Sequence, residues 1–556
     1  MQARRQSSIC PPISAHLNAL ASRARAYAIP HRRWCAGHQS RLDAAMNQLP
    51  DIHLCIVQPQ GYVHSLGFIE PARYLRYQFR RFGARVSVAK NRLRHDAVNF
   101  VFGAHLGFDA TLRRRHSCIF VNLEQLGEGG AAVASGYREL LRTSAVVDYD
   151  AHNVAAYAAD PADVPIVPML HAPYLQTDQP MPLHERPIDL LFIGSMNPRR
   201  HALLDRIEAT GLQVSQFDSP LYGPERDAFI AQAKAVVNLH FYPSARFEQV
   251  RVAHCLSLGT PVISERSTQA GMHPAFDNSV FWFDETALEA FFTQRFGKPE
   301  FYRQAQSAVD AFRAADPAEA YADLLAFAVG FGRAHQERRP QEAWRPARLH
   351  LGSGKAYRPG WLNLDLLERA EPDLRLDLAE AQRWPLHAES PYAGPVELHE
   401  GQLEHIVANN VLEHVGDLPR LMTNCLALLQ TGGRLEIEVP YEHAATAWQD
   451  PTHVRAMNEN SWLYYTDWFW YLGWFEHRFA VEQSGYLDLQ LRECAREQAA
   501  FMRVTLQKVE TTLRERMDAR TMDARLHLPD DTPSAQWLYR QDAVPAMVSA
   551  AAELTA

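Results

Sequence analysis

No two cysteines in this chain form a C-x-x-C pair: Cys10, Cys35, Cys55, Cys118, Cys255, Cys425 and Cys494 are scattered and odd in number. That spacing argues against a structural zinc site of the paired-cysteine kind and points to a reducing compartment. No uninterrupted apolar run reaches the ~18 residues that a membrane-spanning helix requires, so a cytoplasmic protein is expected. Basic residues are not in excess either, with 56 Lys and Arg against 64 Asp and Glu and a formal net charge of -8. A general nucleic-acid binder needs a basic face for the phosphates, and that class is set aside. No cluster of metal-ligating residues stands out along the chain, and no metal is expected.

What is present is too long for one core. A chain of 556 residues exceeds the ~250–300 at which single cores stop growing, so two or three domains are expected. Residues 1–50 set Arg4, Arg5, Arg23, Arg25, Arg32, Arg33 and Arg41 against the single acid Asp43. They read as a disordered tail rather than a secretory signal, because no continuous apolar segment follows the charges. From Asp51 short apolar strands alternate with amphipathic helices, the signature of parallel α/β domains. HLCIVQ, ARVSVAK, VNFVFGAH and CIFVNLEQ are strands of a first unit, 51–165, with a helix carrying Leu75, Phe79 and Phe82 and stopped at Gly83. A Pro-rich passage, DPADVPIVPMLHAPYL, leads to a second unit, 166–335, whose strands are IDLLFIGSM, VVNLHF and TPVISE with a helix from about Ala245 to Leu258. RAHQERRPQEAWRPAR has no apolar period, and residues 336–347 within it are expected to be a linker. A third α/β unit, 348–510, and a polar tail, 511–556, complete the chain.

In the third unit, LHLGSGKAYRPGWLNLDL puts Gly352, Ser353 and Gly354 at one strand end and Asp365 at the next. Ligands of open α/β sheets bind at the carboxyl ends of strands, where glycine lets the backbone come close. A carboxylate one strand over can accept from two ribose hydroxyls. A dinucleotide fingerprint places its acid about 20 residues on, after a helix that holds the pyrophosphate. Only Lys355 to Leu364 separate Gly354 from Asp365, which favours S-adenosylmethionine, a cofactor without phosphate. The segment resembles class I methyltransferases with an LGSG-type loop followed by GWLNLD. The resemblance continues through DLRLDL, where Asp377 takes the place of an adenine-contacting acid, and through HIVANNVLEHV, where Asn409 begins the loop facing the methionine part. LPRLMTNCLALLQTGGRLEIEVP looks like the next helix and strand: Asp417 as N-cap, Leu418, Leu421, Cys425 and Leu428 on one face, and Gly432-Gly433 as its end. Methyl transfer needs alignment and, for a hydroxyl acceptor, removal of a proton. The resemblance implies His414 and His453 as candidate bases, with Asp450 of DPTH at the acceptor mouth; a turn cap and an exposed helix start are the plain alternatives for Asp450 and His453. The aromatic run WLYYTDWFWYLGWF, Trp462 to Phe475, could stack sugar rings, rest on a membrane surface or pack as a lid helix.

The first two units suggest a cleft. In NLHFYPSARFEQVRVAHCLSLGTPVISE a helix beginning near Arg246 would turn its N-terminus and dipole toward a diphosphate, with Arg246 and Arg251 adding charge and Glu248 accepting a ribose hydroxyl. This segment resembles the donor half of two-Rossmann (GT-B) glycosyltransferases. IDLLFIGSMNPRRHALLDRI is similar to their phosphate-facing loop, making Gly194, Ser195, Arg199 and Arg200 donor-site candidates, and QGYVHSLGFIEPARYLRYQFRRFG is similar to the acceptor-side loop, with His64 at its tip as candidate base. The chain departs from many retaining members, which carry two glutamates with seven residues between them: here those places hold Arg246 and His254. The expected architecture is α/β throughout: two Rossmann-like domains forming a GT-B glycosyltransferase module, then a class I methyltransferase Rossmann-like domain. The resemblances imply a bifunctional enzyme using S-adenosylmethionine and a nucleotide-sugar co-substrate. Its acceptor would be a glycan or lipid-linked saccharide, with peripheral contact to the inner membrane face and no nucleic-acid partner. A methyltransferase with a docking module in place of the first two units, or a scaffold with degenerate sites, are the alternatives.

Overall fold

The computed structural model describes residues 49–522 apart from 178–179, 218 and 267–271. The tails expected at 1–50 and 511–556 therefore lie largely outside the described residues. The first unit holds β1 (Asp51–Ile56), β2 (Val86–Lys90), β3 (Ala97–Phe102), β4 (Ser117–Val121) and β5 (Ala145–Val147), all parallel, in the order β2-β1-β3-β4-β5. AVNFVF and SCIFV are buried at every position, as strands covered on both faces must be. The helix Ile69–Arg81 turns Ala72, Leu75 and Phe79 inward and stops before Gly83, whose φ of 82° is left-handed. Between β2 and β3 there is no helix. Residues 91–96 cross the sheet as an irregular segment.

The second unit repeats this plan with β6 (Ile188–Phe192), β7 (Val214–Ser215), β8 (Ala233–Asn238), β9 (Val262–Glu265) and β10 (Val280–Phe283), in the order β10-β9-β8-β6-β7. Counted within the unit, the strand order is the same as in the first. The helix expected from about Ala245 spans Gln249–Ser257 instead. Ala245 has a φ of 48°, outside the right-handed helical region, and the Ser244 N–H is held by the Gly129 carbonyl at 2.9 Å, so the helix cannot start earlier.

The long helix Ala318–Arg338 leaves the second unit and lies back on the first. Gly332 faces Val98 of β3 so closely that a Cβ there would sit 2.6 Å from a valine methyl. One apolar cluster, from Leu54, Phe79 and Phe100 through Leu324 and Ala328 to Val236 and Phe312, joins the two sheets. The expected linker 336–347 accordingly begins inside a helix, and the rest is docked: Arg339 donates to the His95 carbonyl at 2.9 Å and the Trp344 N–H to the Pro395 carbonyl at 2.7 Å.

The third unit contains β11 (Arg348–Leu351), β12 (Leu362–Leu364), the hairpin β13 (Leu386–Ser390) and β14 (Gly394–Leu398), β15 (Leu403–Asn409), β16 (Leu429–Pro440), β17 (His477–Leu487), β18 (Glu493–Cys494) and β19 (Phe501–Glu510). Its seven-stranded sheet runs β12-β11-β15-β16-β19-β17-β18, parallel up to β16 and antiparallel beyond. Asp417 caps the helix Leu418–Leu428 by accepting from the Arg420 N–H at 2.9 Å, and Leu418, Leu421, Cys425 and Leu428 face the core. That helix passes directly into β16, so Gly432-Gly433 is not its end but lies within the strand, with Gly432 at φ 83°. A further helix, Leu513–Met522, occupies the start of the expected tail and is tied to β17 through Glu515 and Arg478 at 2.8 Å. Among the described residues no helix is long and apolar enough to cross a membrane.

Candidate functional site

Off the carboxyl end of β11, Gly352 and Gly354 adopt φ of 61° and 49°, and a Cβ on Gly352 would lie 2.3 Å from a Val411 methyl. The loop therefore needs glycine for both conformation and space. Asp365, at the end of β12, accepts the Gly354 N–H at 2.8 Å on one oxygen and the Leu367 N–H at 2.8 Å on the other. It is half-buried, and each oxygen keeps a second lone pair. Ser353 is buried, its N–H bonded to the Leu364 carbonyl at 2.9 Å and its hydroxyl without a protein partner. Asp377 is half-buried and accepts the Ala379 N–H at 2.8 Å. Asn409 ends β15 opposite Glu438, and Asn410 beside it turns left-handed at φ 52°. Two carboxylates with open lone pairs, an orphaned hydroxyl and a backbone stripped of side chains fit a nucleoside with a short charged arm.

The acceptor-side candidates meet beside this loop. His414 is exposed and His453 largely buried, with ring centroids 4.7 Å apart. His453 Nδ1 lies 2.8 Å from the Ala447 carbonyl, and His414 Nδ1 lies 2.9 Å from the Thr452 hydroxyl. Asp450 does not touch either ring. It accepts from the Thr452 hydroxyl at 2.7 Å and N–H at 2.8 Å, which hold its carboxyl below the usual range, and so it acts on His414 through Thr452. His453 is no helix start: no helix begins between Ala447 and Asn458. Glu413, which the sequence reading passed over, is 1% exposed, and burial pushes its carboxyl up to about 7. NNVLEHV carries no signal that singles it out. The aromatic run is not one helix but two 3-10 segments, Glu459–Tyr465 and Phe469–Leu472. Trp462, Tyr465, Phe469 and Trp474 pack in the core, while Tyr464, Trp468 and Tyr471 cluster at the surface with centroids 5.3 to 6.4 Å apart.

In the second unit Gly194, with φ 150°, lies against Arg200 and Arg251, and Ser195 is exposed beside it. Arg200 is 1% exposed and donates to the carbonyls of Ser195 at 2.7 Å and Leu239 at 3.1 Å and to Glu248 at 2.9 Å. Such a side chain shapes the loop rather than meeting a ligand, contrary to the expected donor contact. Arg251 pairs with the other Glu248 oxygen and donates to Asn238 at 3.1 Å. Arg199 turns to Glu265 and Glu285, and Arg246 crosses to Asn153 of the first unit, so neither joins that cluster. His64 is exposed and meets the Tyr222 hydroxyl at 3.0 Å across the cleft. His254 lies 2.7 Å from Asp227.

A curated relative, an uncharacterized protein of Acanthamoeba polyphaga mimivirus, is 26% identical over 164 residues, 28% of this chain; the chain spans about half of it, 51%. A SAM-dependent methyltransferase of Archaeoglobus fulgidus, 12% identical, covers 29% of this chain and 85% of its own at a TM-score of 0.20. WaaG, a glycosyltransferase involved in lipopolysaccharide biosynthesis, is 11% identical and covers 50% of this chain and 99% of its own at a TM-score of 0.33. The family model described as a methyltransferase domain matches residues 302–485. That span starts in the helix Pro299–Arg313, which packs with the second unit, and then runs from β11 into β17. The third α/β unit of this chain is a methyltransferase domain.

Proposed function

We propose that the chain is a bifunctional transferase. Its methyltransferase domain moves a methyl group from S-adenosylmethionine to a hydroxyl of a glycan, and its first two units move a sugar from a nucleotide donor to the same kind of acceptor, in surface polysaccharide or lipopolysaccharide assembly. The observation that carries the methyl-transfer half is the Gly354 N–H bonded to Asp365 at 2.8 Å, which joins two strand ends into one cradle. In this reading Asp365 offers its remaining lone pairs to two ribose hydroxyls, and Asp377 is the acid assigned to the adenine. The cofactor would supply an electrophilic sulfonium methyl, and Glu413, His414 and His453 are the residues assigned to the acceptor side. The exposed faces of Tyr464, Trp468 and Tyr471 suit the C–H surface of sugar rings, or the headgroup level of a membrane carrying a lipid-linked acceptor.

For sugar transfer the supporting feature is the pair of parallel sheets with matching strand order, with Gly194, Ser195, Glu248 and Arg251 grouped in the second. One observation favours a second reading, in which these units dock a glycan without turning over a donor. Arg199, Arg200 and Arg251 are all paired with carboxylates, and His254 is engaged by Asp227 where a glutamate would stand. Calorimetric titration of the full-length chain with S-adenosylhomocysteine and then nucleoside diphosphates decides between them. Two independent sites, the first lost in Asp365→Ala and the second in Arg251→Ala, are expected. Binding of S-adenosylhomocysteine alone would leave the docking reading, and binding of neither would remove both.

A further inference from the structure

Glu413, His414 and His453 each bring a ligand atom to within 4.8 Å of the others, and the hydrogen bonds around them show which ring nitrogens are left free. The Ala447 carbonyl can only accept, so His453 carries its proton on Nδ1 and leaves Nε2 bare. The Thr452 hydroxyl donates to Asp450 at 2.7 Å, so at His414 it accepts from Nδ1–H, and there too Nε2 is bare. Both rings are thus fixed by an oxygen acceptor on the far nitrogen, which is how metal-binding imidazoles are held. The third group is a carboxylate at 1% exposure with neither oxygen hydrogen-bonded, and His453 Nε2 stands 4.0 Å from it, too far for a hydrogen bond. A buried carboxylate without a donor is costly, and two imidazole lone pairs beside it supply none. A cation among the three satisfies all of them.

We propose that Glu413, His414 and His453 bind a divalent first-row transition-metal ion at the edge of the methyl-transfer site. Two imidazoles and one carboxylate are a donor set taken by zinc and by iron(II). Val411, two residues before Glu413, packs on Gly352, which puts the ion next to the glycine loop. His414 is exposed, so the coordination sphere is open on that side. The oxygen it would accept there is the acceptor's hydroxyl, a part of the inference that rests on the methyl-transfer reading; binding of the ion does not.

The test is calorimetric titration of chelator-treated full-length protein with Zn²⁺, repeated with Co²⁺ followed by visible absorption, on the wild type, Glu413→Gln and His414→Ala. One saturable equivalent in the wild type, weakened at least tenfold in both variants, is expected. No saturable equivalent, or one as tight in the variants, overturns the proposal. Should Glu413→Gln fold poorly, His414→Ala, altered at an exposed ring, decides by itself. Asp365→Ala separates the two readings: it is expected to lose S-adenosylhomocysteine and keep Zn²⁺, and a chain that binds Zn²⁺ but never S-adenosylhomocysteine would retain the metal site and lose the methyl-transfer assignment.

Discussion

Arg92, just after β2 of the first unit, donates to Glu371 of the methyltransferase domain at 2.8 Å and to the neighbouring Ala370 carbonyl at 3.1 Å. Its guanidinium also lies over the rings of Tyr357 at 4.4 Å and Tyr392 at 5.0 Å. A planar cation sandwiched between aromatic faces and a carboxylate is a strong fastening, although Glu371 is exposed enough for solvent to weaken its share. Arg92→Ala is expected to loosen the third unit by about 1.5–3 kcal/mol, the range for a hydrogen bond to a charged group. Limited proteolysis reads this as new cleavage within 339–347 with S-adenosylhomocysteine affinity unchanged. An unaltered digestion pattern would show that Arg92 does not fasten the units.

Asp365→Ala is expected to weaken S-adenosylhomocysteine binding at least about tenfold, or ~1.4 kcal/mol, because both the ribose acceptor and the anchor of the Gly354 N–H go. The thermal midpoint should move little, since the side chain is half-buried. Equal losses of midpoint with and without ligand would reassign Asp365 to folding.

Gly352→Ala should cost roughly 2–4 kcal/mol of third-unit stability, from overpacking against Val411 together with the left-handed φ of 61°. Adding Val411→Ala should recover the packing part alone, which denaturant unfolding of the double variant measures.

Arg200 and Arg251 share Glu248 yet are expected to respond differently. Arg200→Ala leaves a half-buried carboxylate short of a partner and frees two carbonyls, a loss of about 3–5 kcal/mol. Arg251→Ala, which removes a less buried side chain and frees no carbonyl, should cost less stability and abolish nucleoside diphosphate binding. Thermal melts and calorimetry on the pair distinguish these, and the reverse pattern would exchange their roles.

His53 provides a pH signature. Its Nε2–H donates to the Arg92 carbonyl at 2.9 Å and its Nδ1 accepts from Ser87 at 2.8 Å, and burial lowers its pKa from 6.5 to about 4. The folded ring stays neutral while the unfolded ring takes up a proton. Its contribution is therefore whole above pH 6.5, is lost as the pH falls toward 4 and changes no further below that. The loss is on the order of 3 kcal/mol. First-unit melts in His53→Gln should lack this slope between pH 6.5 and 4.

Strands and the cofactor loop were legible because their rules are local. Gly352, Gly354 and Asp365 stand within one strand-turn-strand, and the helix Leu418–Leu428 announces itself by Asp417 and its leucine spacing. What escaped depends on partners distant in the chain. The helix was expected to start near Ala245, but a bond from Ser244 to Gly129 turns the backbone left-handed there. The charged stretch after Arg333 looked like a linker, yet its helix continues over β3 and β4. Arg200 carries a charge and a loop position like a ligand contact, and only the enclosing carbonyls of Ser195 and Leu239 make it internal. Glu413 was overlooked for the opposite reason: nothing in NNVLEHV tells that its carboxylate, rather than its neighbours' side chains, is buried.

The returning helix Ala318–Arg338 has a mechanical consequence. It makes the second unit an insertion, joined to the first by two lengths of chain lying side by side, the Pro-rich passage and the helix itself, like a door on two pins. The Tyr321 hydroxyl on the helix donates to the Pro168 carbonyl of the passage at 3.3 Å, which ties the two pins together. The third unit follows the helix and is clasped by Arg92 of the first unit, so it belongs to the frame and not to the door.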